Sequence, residues 1–105
     1  MGVDHAALDW IGREIAQAAA IAQIAVVVGG GNFMRGNTNQ LPLTRVSADY
    51  VGMLATVMNS VYLEQWLKSA DIDSALFSSL RLHPQIETYS AGAAITALEN
   101  GRVAI

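Results

Sequence analysis

Hydrophobic residues recur along the chain in a pattern that predicts two helices on either side of a strand. Apolar positions three or four apart (Leu8, Ile11, Ile15) predict an amphipathic helix over about residues 4–22. A wider apolar face predicts a long helix over about residues 46–68, capped by Thr44 or Ser47. Between them, residues 24–28 are all apolar and mostly β-branched, which is typical of a strand buried on both faces.

The rest of the chain continues this alternation. Residues 74–80 are predicted as a second strand, and residues 90–99 as a helix that ends near Gly101. A further strand is predicted to begin at Arg102. Alternating helices and strands favour an α/β layer with a mainly parallel sheet. Because the chain opens on a helix and closes on a strand barely begun, we expect both ends to be cut from a longer protein.

Composition limits the size and class of this protein. With 105 residues, 52% hydrophobic and 14% charged, the chain suits one small domain with a marginal core. The apolar stretch 15–28 contains Gln17 and Gln23 and ends in glycines, so we predict no membrane span there. The absence of cysteine excludes disulfides and thiolate metal sites and fits a cytoplasmic location.

The charges disfavour a nucleic-acid partner. The formal net charge is −3, and a phosphate backbone needs a concentrated basic surface. The two histidines, His5 and His83, are isolated, and we assign no metal ligand from the sequence. The six basic residues are scattered along the chain: Arg13, Arg35, Arg45, Lys68, Arg81 and Arg102.

A run of glycines directly after the first predicted strand is the best candidate for chemistry. Gly29, Gly30 and Gly31 let the backbone turn tightly and can expose consecutive N–H groups to an anion, with Arg35 nearby as a cation. The carboxyl end of a parallel strand is where α/β proteins bind ligands. A plain glycine-rich turn without a ligand is the alternative, and the residues of the turn alone leave it open.

Two common phosphate loops do not fit this turn. A Walker loop requires the pattern GxxxxGK[ST], which the sequence lacks. A dinucleotide-binding fingerprint requires GxGxxG, and Met34 stands at its third glycine. Asp49 lies at the distance usual for a ribose-binding acid, but it opens a predicted helix where that acid should end a strand.

Two longer segments resemble the bacterial UMP kinases. Residues 29–36 read GGGNFMRG, which is similar to the GGGNxxRG motif of these enzymes. Residues 45–59 read RVSADYVGMLATVMN, which resembles their RxxxDxxGMLATVMN segment. The resemblance covers essentially the whole chain but only the first half of a family member, without its first strand and phosphate loop.

The resemblance implies a fold, an activity and site residues. The fold would be an incomplete three-layer α/β/α sandwich, a partial amino-acid kinase domain over residues 1–105. The activity would be transfer of the γ-phosphoryl group of ATP to UMP with Mg²⁺, in pyrimidine nucleotide biosynthesis, by a homohexamer. Gly30 and Asp49 would bind UMP, while Gly31 and Arg35 would lie at the phosphates, with Arg35 catalytic. Asp49 could instead be an ordinary acid in the first turn of a helix, where the dipole favours it.

The sequence is also compatible with two other functions. The family's lysine-containing phosphate loop does not precede Gly2, and its uracil-binding segment would follow Ile105. We therefore expect negligible kinase activity from the isolated chain. One alternative is a non-catalytic oligomerisation module that uses the apolar face of the long helix. Another is a general nucleotide or anion binder that retains the glycine turn.

Overall fold

Three helices and four short strands form the part of the chain that the computed structural model describes, which is residues 2–32, 44–80, 82 and 85–105. The order alternates helices with strands, and this confirms the α/β class predicted from the sequence. In chain order the elements are α1 (His5–Ala19), α2 (Arg45–Ser69), β1 (Ser74–Ala75), β2 (Phe77–Ser78), β3 (Glu87–Thr88), α3 (Ala91–Glu99) and β4 (Val103–Ala104).

Side-chain caps set the beginnings of the helices. The Asp4 carboxylate accepts hydrogen bonds from the backbone N–H groups of Ala6 and Ala7, so Asp4 precedes α1 rather than belonging to it. Thr44 accepts from the Ser47 N–H at 3.2 Å, which makes Thr44 the cap of α2. Ser90 caps α3 in the same way, and Gly101 follows this helix with a φ of +76° that favours glycine.

Helices α1 and α2 pack against each other through one close contact. The backbone of Gly12 lies under the indole of Trp66, and a Cβ at Gly12 would overlap the ring. The Trp66 Nε1–H donates to the Asp9 carboxylate at 2.8 Å, so the polar end of the indole has a partner. Ile15, Leu63, Leu67 and Val103 form the buried cluster between these helices and the sheet.

The central strand of the main sheet is β4. It pairs in parallel with β1 on one side, and Ala104 bridges in parallel to Ala25 on the other. The predicted strand 74–80 is instead divided, because β1 pairs with β4 whereas β2 pairs in parallel with β3. The sequence pattern did not predict β3, whose Glu87 and Thr88 are exposed and lack an apolar run.

The prediction that residues 24–28 are buried on both faces was wrong. Ile24, Val26 and Val28 pack towards the core cluster, whereas Val27 is 100% exposed. Side chains of an extended segment alternate between two faces, and only the face turned towards α1 and α2 is covered here. Ala25 alone is in a bridge, so the segment is an extended chain with little ladder pairing.

Helix α3 supplies the third layer. Val103 belongs to the cluster with α1 and α2, so its neighbour Ala104 points to the opposite side of the sheet. On that side Ala94 of α3 and Ala104 line the same cavity. The described helices and parallel strands thus form an incomplete α/β/α arrangement. None of the described helices is long and apolar enough to cross a bilayer.

Candidate functional site

The glycine turn follows the extended segment that ends at Val28, and it lies against α2. A Cβ at Gly30 would be 2.9 Å from three atoms of α2: the Gly52 carbonyl oxygen, the Ala55 Cβ and the Thr56 nitrogen. Any side chain larger than a hydrogen would therefore push the turn away from the helix. Gly29 differs from Gly30, because a Cβ at Gly29 would meet nothing within 4 Å. The sequence pattern indicated ligand approach as the reason for the glycines and did not indicate this contact with the helix.

Two amide side chains fasten the turn to α2. The Asn59 Nδ2 donates to the Gly29 carbonyl oxygen at 2.7 Å and to the Asn32 Oδ1 at 2.6 Å. The Asn32 Nδ2 in turn donates to the Asn59 Oδ1 at 3.1 Å and to the Gly2 carbonyl oxygen at 2.8 Å. The Gly2 N–H donates to the Asn32 carbonyl oxygen at 3.0 Å. Three distant segments of the chain therefore meet at this turn.

Among the described residues, the N–H groups of Gly30 and Gly31 donate to no other group. Gly31 is exposed and Gly30 half-buried, so both lie at or near the surface of the turn. Consecutive backbone N–H groups without partners form a site of positive potential that suits an anion. These N–H groups of the turn are thus candidates for contact with an anionic group such as a phosphate.

Asp49 lies on the same side of α2 as the glycine turn. It is exposed, and it precedes Gly52 by three positions, which places it about 4.5 Å further along the helix axis on the same face. The interpretation of Asp49 as a first-turn acid was wrong, because α2 begins at Arg45 and has no acidic residue in its first turn. The helix dipole therefore does not explain this carboxylate.

Gly30 thus packs on the side of α2 that carries Asp49, and Gly31 follows it in the turn. These are three of the four site residues that the resemblance implies. Arg35 lies outside the described residues. Asn32 and Asn59 were not predicted as part of the site, although both stand inside the two motifs quoted above. Their spacing from the glycines and from Gly52 was the available signal, because positions 52, 56 and 59 fall on one helix face.

A cavity of about 490 Å³ opens beside the turn, at the carboxyl ends of the parallel strands. Carboxyl ends are the usual ligand-binding edge of an α/β sheet. The lining of this cavity is largely apolar, with a few hydroxyl groups. Its residues include Val26, Val27, Val28, Thr56, Ser60, Phe77, Ser78, Ser79, Tyr89 and Ile105. A second cavity of about 480 Å³ lies near the other end of α2, between Glu64, Lys68 and Asp73. It shares no lining residue with the first.

Comparison with known families decides the lineage of this fold and site. Residues 3–105 match the model of the amino acid kinase family. The chain belongs to the amino acid kinase family. Several similar members of this family are UMP kinases, which confirms the resemblance carried by the two motifs.

Curated relatives match the whole chain. It is 42% identical over 106 residues to the uridylate kinase of Clavibacter michiganensis subsp. michiganensis, covering 100% of this chain and 44% of that protein. It is 43% identical to the uridylate kinase of Leifsonia xyli subsp. xyli, covering 100% of this chain and 45% of that protein. The chain therefore spans less than half the length of these amino acid kinase relatives.

Solved structures agree with the assignment of the fold. The crystal structure of UMP kinase from Ureaplasma parvum superposes with a TM-score of 0.90 at 27% identity, over 98% of this chain and 46% of that one. UMP kinase from Bacillus anthracis gives a TM-score of 0.89 at 29% identity, over 99% of this chain and 44% of that one. The arrangement described above is thus about half of an amino acid kinase fold of the UMP kinase type.

Proposed function

We propose that this chain is the UMP-binding part of a nucleoside monophosphate kinase that converts ATP and UMP to ADP and UDP. The observation that carries the proposal is the glycine turn fixed against α2, with the Asp49 carboxylate one helical turn away on the same face. The names of the relatives, uridylate kinase, support UMP as the acceptor. A cytoplasmic location and a role in pyrimidine biosynthesis stay predictions.

Each site residue has a chemical role in this proposal. Asp49 would accept hydrogen bonds from the ribose hydroxyls of UMP, for which a carboxylate is well suited. The N–H groups of Gly30 and Gly31 would contact the UMP and the transferred phosphoryl oxygens. Arg35 would neutralise charge in the transition state, because phosphoryl transfer depends mainly on positioning and electrostatic stabilisation.

Mg²⁺ would enter with ATP in this proposal. The described residues contain no group of three or more histidine or acidic side chains that could hold a metal ion. Mg²⁺ in phosphoryl-transfer enzymes keeps several waters and is bound largely through substrate phosphates, so such a cage is not required. We assign no residue of the described ranges to the ion.

A calorimetric titration of the purified chain with UMP tests the proposal. We expect measurable binding that Asp49→Ala reduces at least about tenfold, because the lost charged acceptor makes the stronger class of hydrogen bond. Glu14→Ala is the matched control, since Glu14 is also an exposed helical acid but lies on α1. Equal affinity for UMP in the parent chain and in Asp49→Ala would contradict the assigned role of Asp49.

Two further measurements separate this function from the alternatives. A general anion binder would bind inorganic phosphate as tightly as UMP, so a competition titration with phosphate distinguishes the two. Steady formation of UDP by the pure chain would contradict our prediction that the isolated chain has negligible kinase activity. A coupled ADP assay measures that rate directly.

A second candidate function, self-association, is favoured by the outer face of α2. Helix α2 carries large apolar residues outside its core side as well, and a contiguous exposed apolar surface is typical of an interaction site. The buried residues of α2 are Ala55, Ser60, Leu63 and Leu67. The apolar face predicted from the sequence is therefore divided, with Leu67 in the core and residues such as Tyr50 and Met53 exposed. We define the outer face of α2 as its exposed large apolar residues: Val46, Tyr50, Val51, Met53, Met58, Val61 and Tyr62.

A second copy of this chain would cover the outer face of α2, as in an oligomer with two-fold symmetry. We expect sedimentation equilibrium to show self-association that Met58→Lys abolishes, because a charge would be buried there without a partner. Lys68→Met, at an exposed site near the end of α2, is the control. A monomeric parent chain at all concentrations would contradict this second function. The hexamer implied by the resemblance stays a prediction.

A further inference from the structure

The two amides at the glycine turn use all four of their N–H bonds. Asn59 donates to the Gly29 carbonyl oxygen and to Asn32, and Asn32 donates to the Gly2 carbonyl oxygen and back to Asn59. Because a backbone carbonyl only accepts, each amide must turn its NH₂ group to that carbonyl, and this fixes both side-chain orientations. The reciprocal pair is then complete, and a side chain without an NH₂ group cannot replace either partner.

The hydrogen bond to Gly29 controls a group that is part of the candidate site. The Gly29 carbonyl and the Gly30 N–H belong to one planar trans peptide unit, in which the C=O and N–H bonds point in opposite directions. Since Asn59 holds the Gly29 oxygen at 2.7 Å on the α2 side, the Gly30 N–H must point away from Asn59. Glycine has little intrinsic preference among backbone conformations, so an unheld Gly29–Gly30 unit could rotate.

The contact between Gly30 and α2 does not fix this direction by itself. It restrains the position of the Gly30 Cα, through atoms of Gly52, Ala55 and Thr56, but a peptide plane can rotate about its flanking Cα atoms. The restraint on rotation comes from the carbonyl, and Asn59 supplies it. Asn32 acts one step further away, since it holds Asn59 in place and ties the pair to Gly2.

We propose that Asn59 is a positioning residue that, supported by Asn32, aims the Gly30 N–H at the phosphate of the bound nucleotide. This inference rests on the function proposed above, because it requires the turn to bind UMP. Asn59 would not touch the nucleotide itself. Its effect would be confined to the anionic part of the ligand, and the nucleoside part would be unaffected.

Titrations of UMP and uridine into the same variants test the proposal. Asn59→Leu keeps the approximate size of the side chain and adds no charge, and Asn100→Leu at the end of α3 is the matched control. We expect Asn59→Leu to weaken UMP binding about tenfold and to change uridine binding less than about twofold. A residue with a merely structural role would weaken the two ligands equally, which would overturn the proposal. Unchanged UMP affinity would overturn it as well.

A second variant and a second measurement keep the proposal testable if Asn59→Leu folds poorly. Asn32→Ala leaves the bond between Asn59 and Gly29 possible, so we expect a smaller loss of UMP affinity, about threefold. In the ligand-free chain, the ¹⁵N heteronuclear NOE of the Gly30 amide should be high and should fall in Asn59→Leu but not in Asn100→Leu. A Gly30 amide that stays equally ordered in Asn59→Leu would overturn the proposal.

The heteronuclear NOE also distinguishes failure of this inference from failure of the proposed function. If the parent chain binds neither UMP nor uridine, the function proposed above fails. The NOE then decides by itself whether Asn59 orients the Gly29–Gly30 peptide.

Discussion

The part of α2 up to Asn59 and the part from Ser60 onwards differ in the residues they turn inwards and in their roles. Up to Asn59, the helix turns small residues towards the sheet, Gly52 and Ala55, and the backbone of the glycine turn approaches within van der Waals contact. From Ser60 onwards it turns Leu63 and Leu67 inwards, and Leu67 is 0% exposed. The first part therefore positions a candidate binding site, whereas the second supplies the hydrophobic stability.

One continuous helix can therefore position a binding site with one part and stabilise the fold with the other. Small residues bury little apolar area and contribute little to stability, but they allow a close backbone approach. Large residues stabilise the fold and would obstruct such an approach. Substitutions in the two parts should accordingly have separable effects on unfolding and on UMP binding.

The largest effect on stability is expected for Leu67→Ala in the second part of α2. Loss of a fully buried leucine side chain, with a cavity left behind, should lower the free energy of unfolding by about 3 kcal/mol. Urea denaturation followed by circular dichroism measures it, with Val46→Ala on the exposed start of the same helix as control. A loss below about 1 kcal/mol would show that the core does not depend on this part of the helix.

Gly30→Ala should give the next largest effect on stability. It changes the contact between the glycine turn and the first part of α2. The added Cβ has no room against the helix, so we expect a loss of about 1–3 kcal/mol in stability together with loss of UMP binding. Gly29→Ala is the matched control, because its Cβ would enter open space. Similar behaviour of the two alanine variants, in urea denaturation and in calorimetry, would contradict the tight contact between turn and helix.

Trp66→Phe should have a moderate effect. The substitution removes the hydrogen bond from the Nε1–H to Asp9 and leaves most of the ring contact with Gly12, so about 1 kcal/mol of stability should be lost. UMP affinity should not change, since Trp66 belongs to the second part of α2. Trp10→Phe, at an exposed position on α1, provides the control in the same denaturation series. Weaker UMP binding in Trp66→Phe would show that the two parts are coupled.

Val27→Ser should have the smallest effect. The Val27 side chain is fully exposed, so the free energy of unfolding should change by less than about 0.5 kcal/mol. Val26→Ser, one position earlier and turned towards the core, should be clearly destabilising. Equal losses for the two variants in urea denaturation would contradict the alternation between the two faces of this segment.

The sequence predicted the helices and strands of the fold better than it predicted which of them pack or pair with each other. Helical periodicity and capping residues placed the helices to within a few residues, because both signals are local. The exposure of Val27 could not be predicted, since an apolar run does not reveal which of its faces another element covers. The division of residues 74–80 into β1 and β2 depends on β4 and β3, which lie far along the chain.

The sequence predicted which residues belong to the candidate site, but it did not predict which side chains hold the glycine turn in place. Motifs pointed to Gly30, Gly31 and Asp49, and the structure packs Gly30 against the side of α2 on which Asp49 lies. The amide pair was missed because each asparagine, taken alone, is an ordinary polar residue. Only the folded backbone brings Asn32 and Asn59 within 2.6 Å of each other.

The central place of β4 has a consequence for the order of folding. Strand β4 pairs with β1, which is nearer to it in sequence than α1 is to α2, and it also bridges to Ala25, which is the most distant of these partners. Contacts between residues far apart in sequence form slowly, because the loop between them must first be closed. We therefore expect β1 and β4 to pair before α1 packs on α2, and the bridge between Ala25 and Ala104, which closes the longest loop, to form last and determine the overall rate.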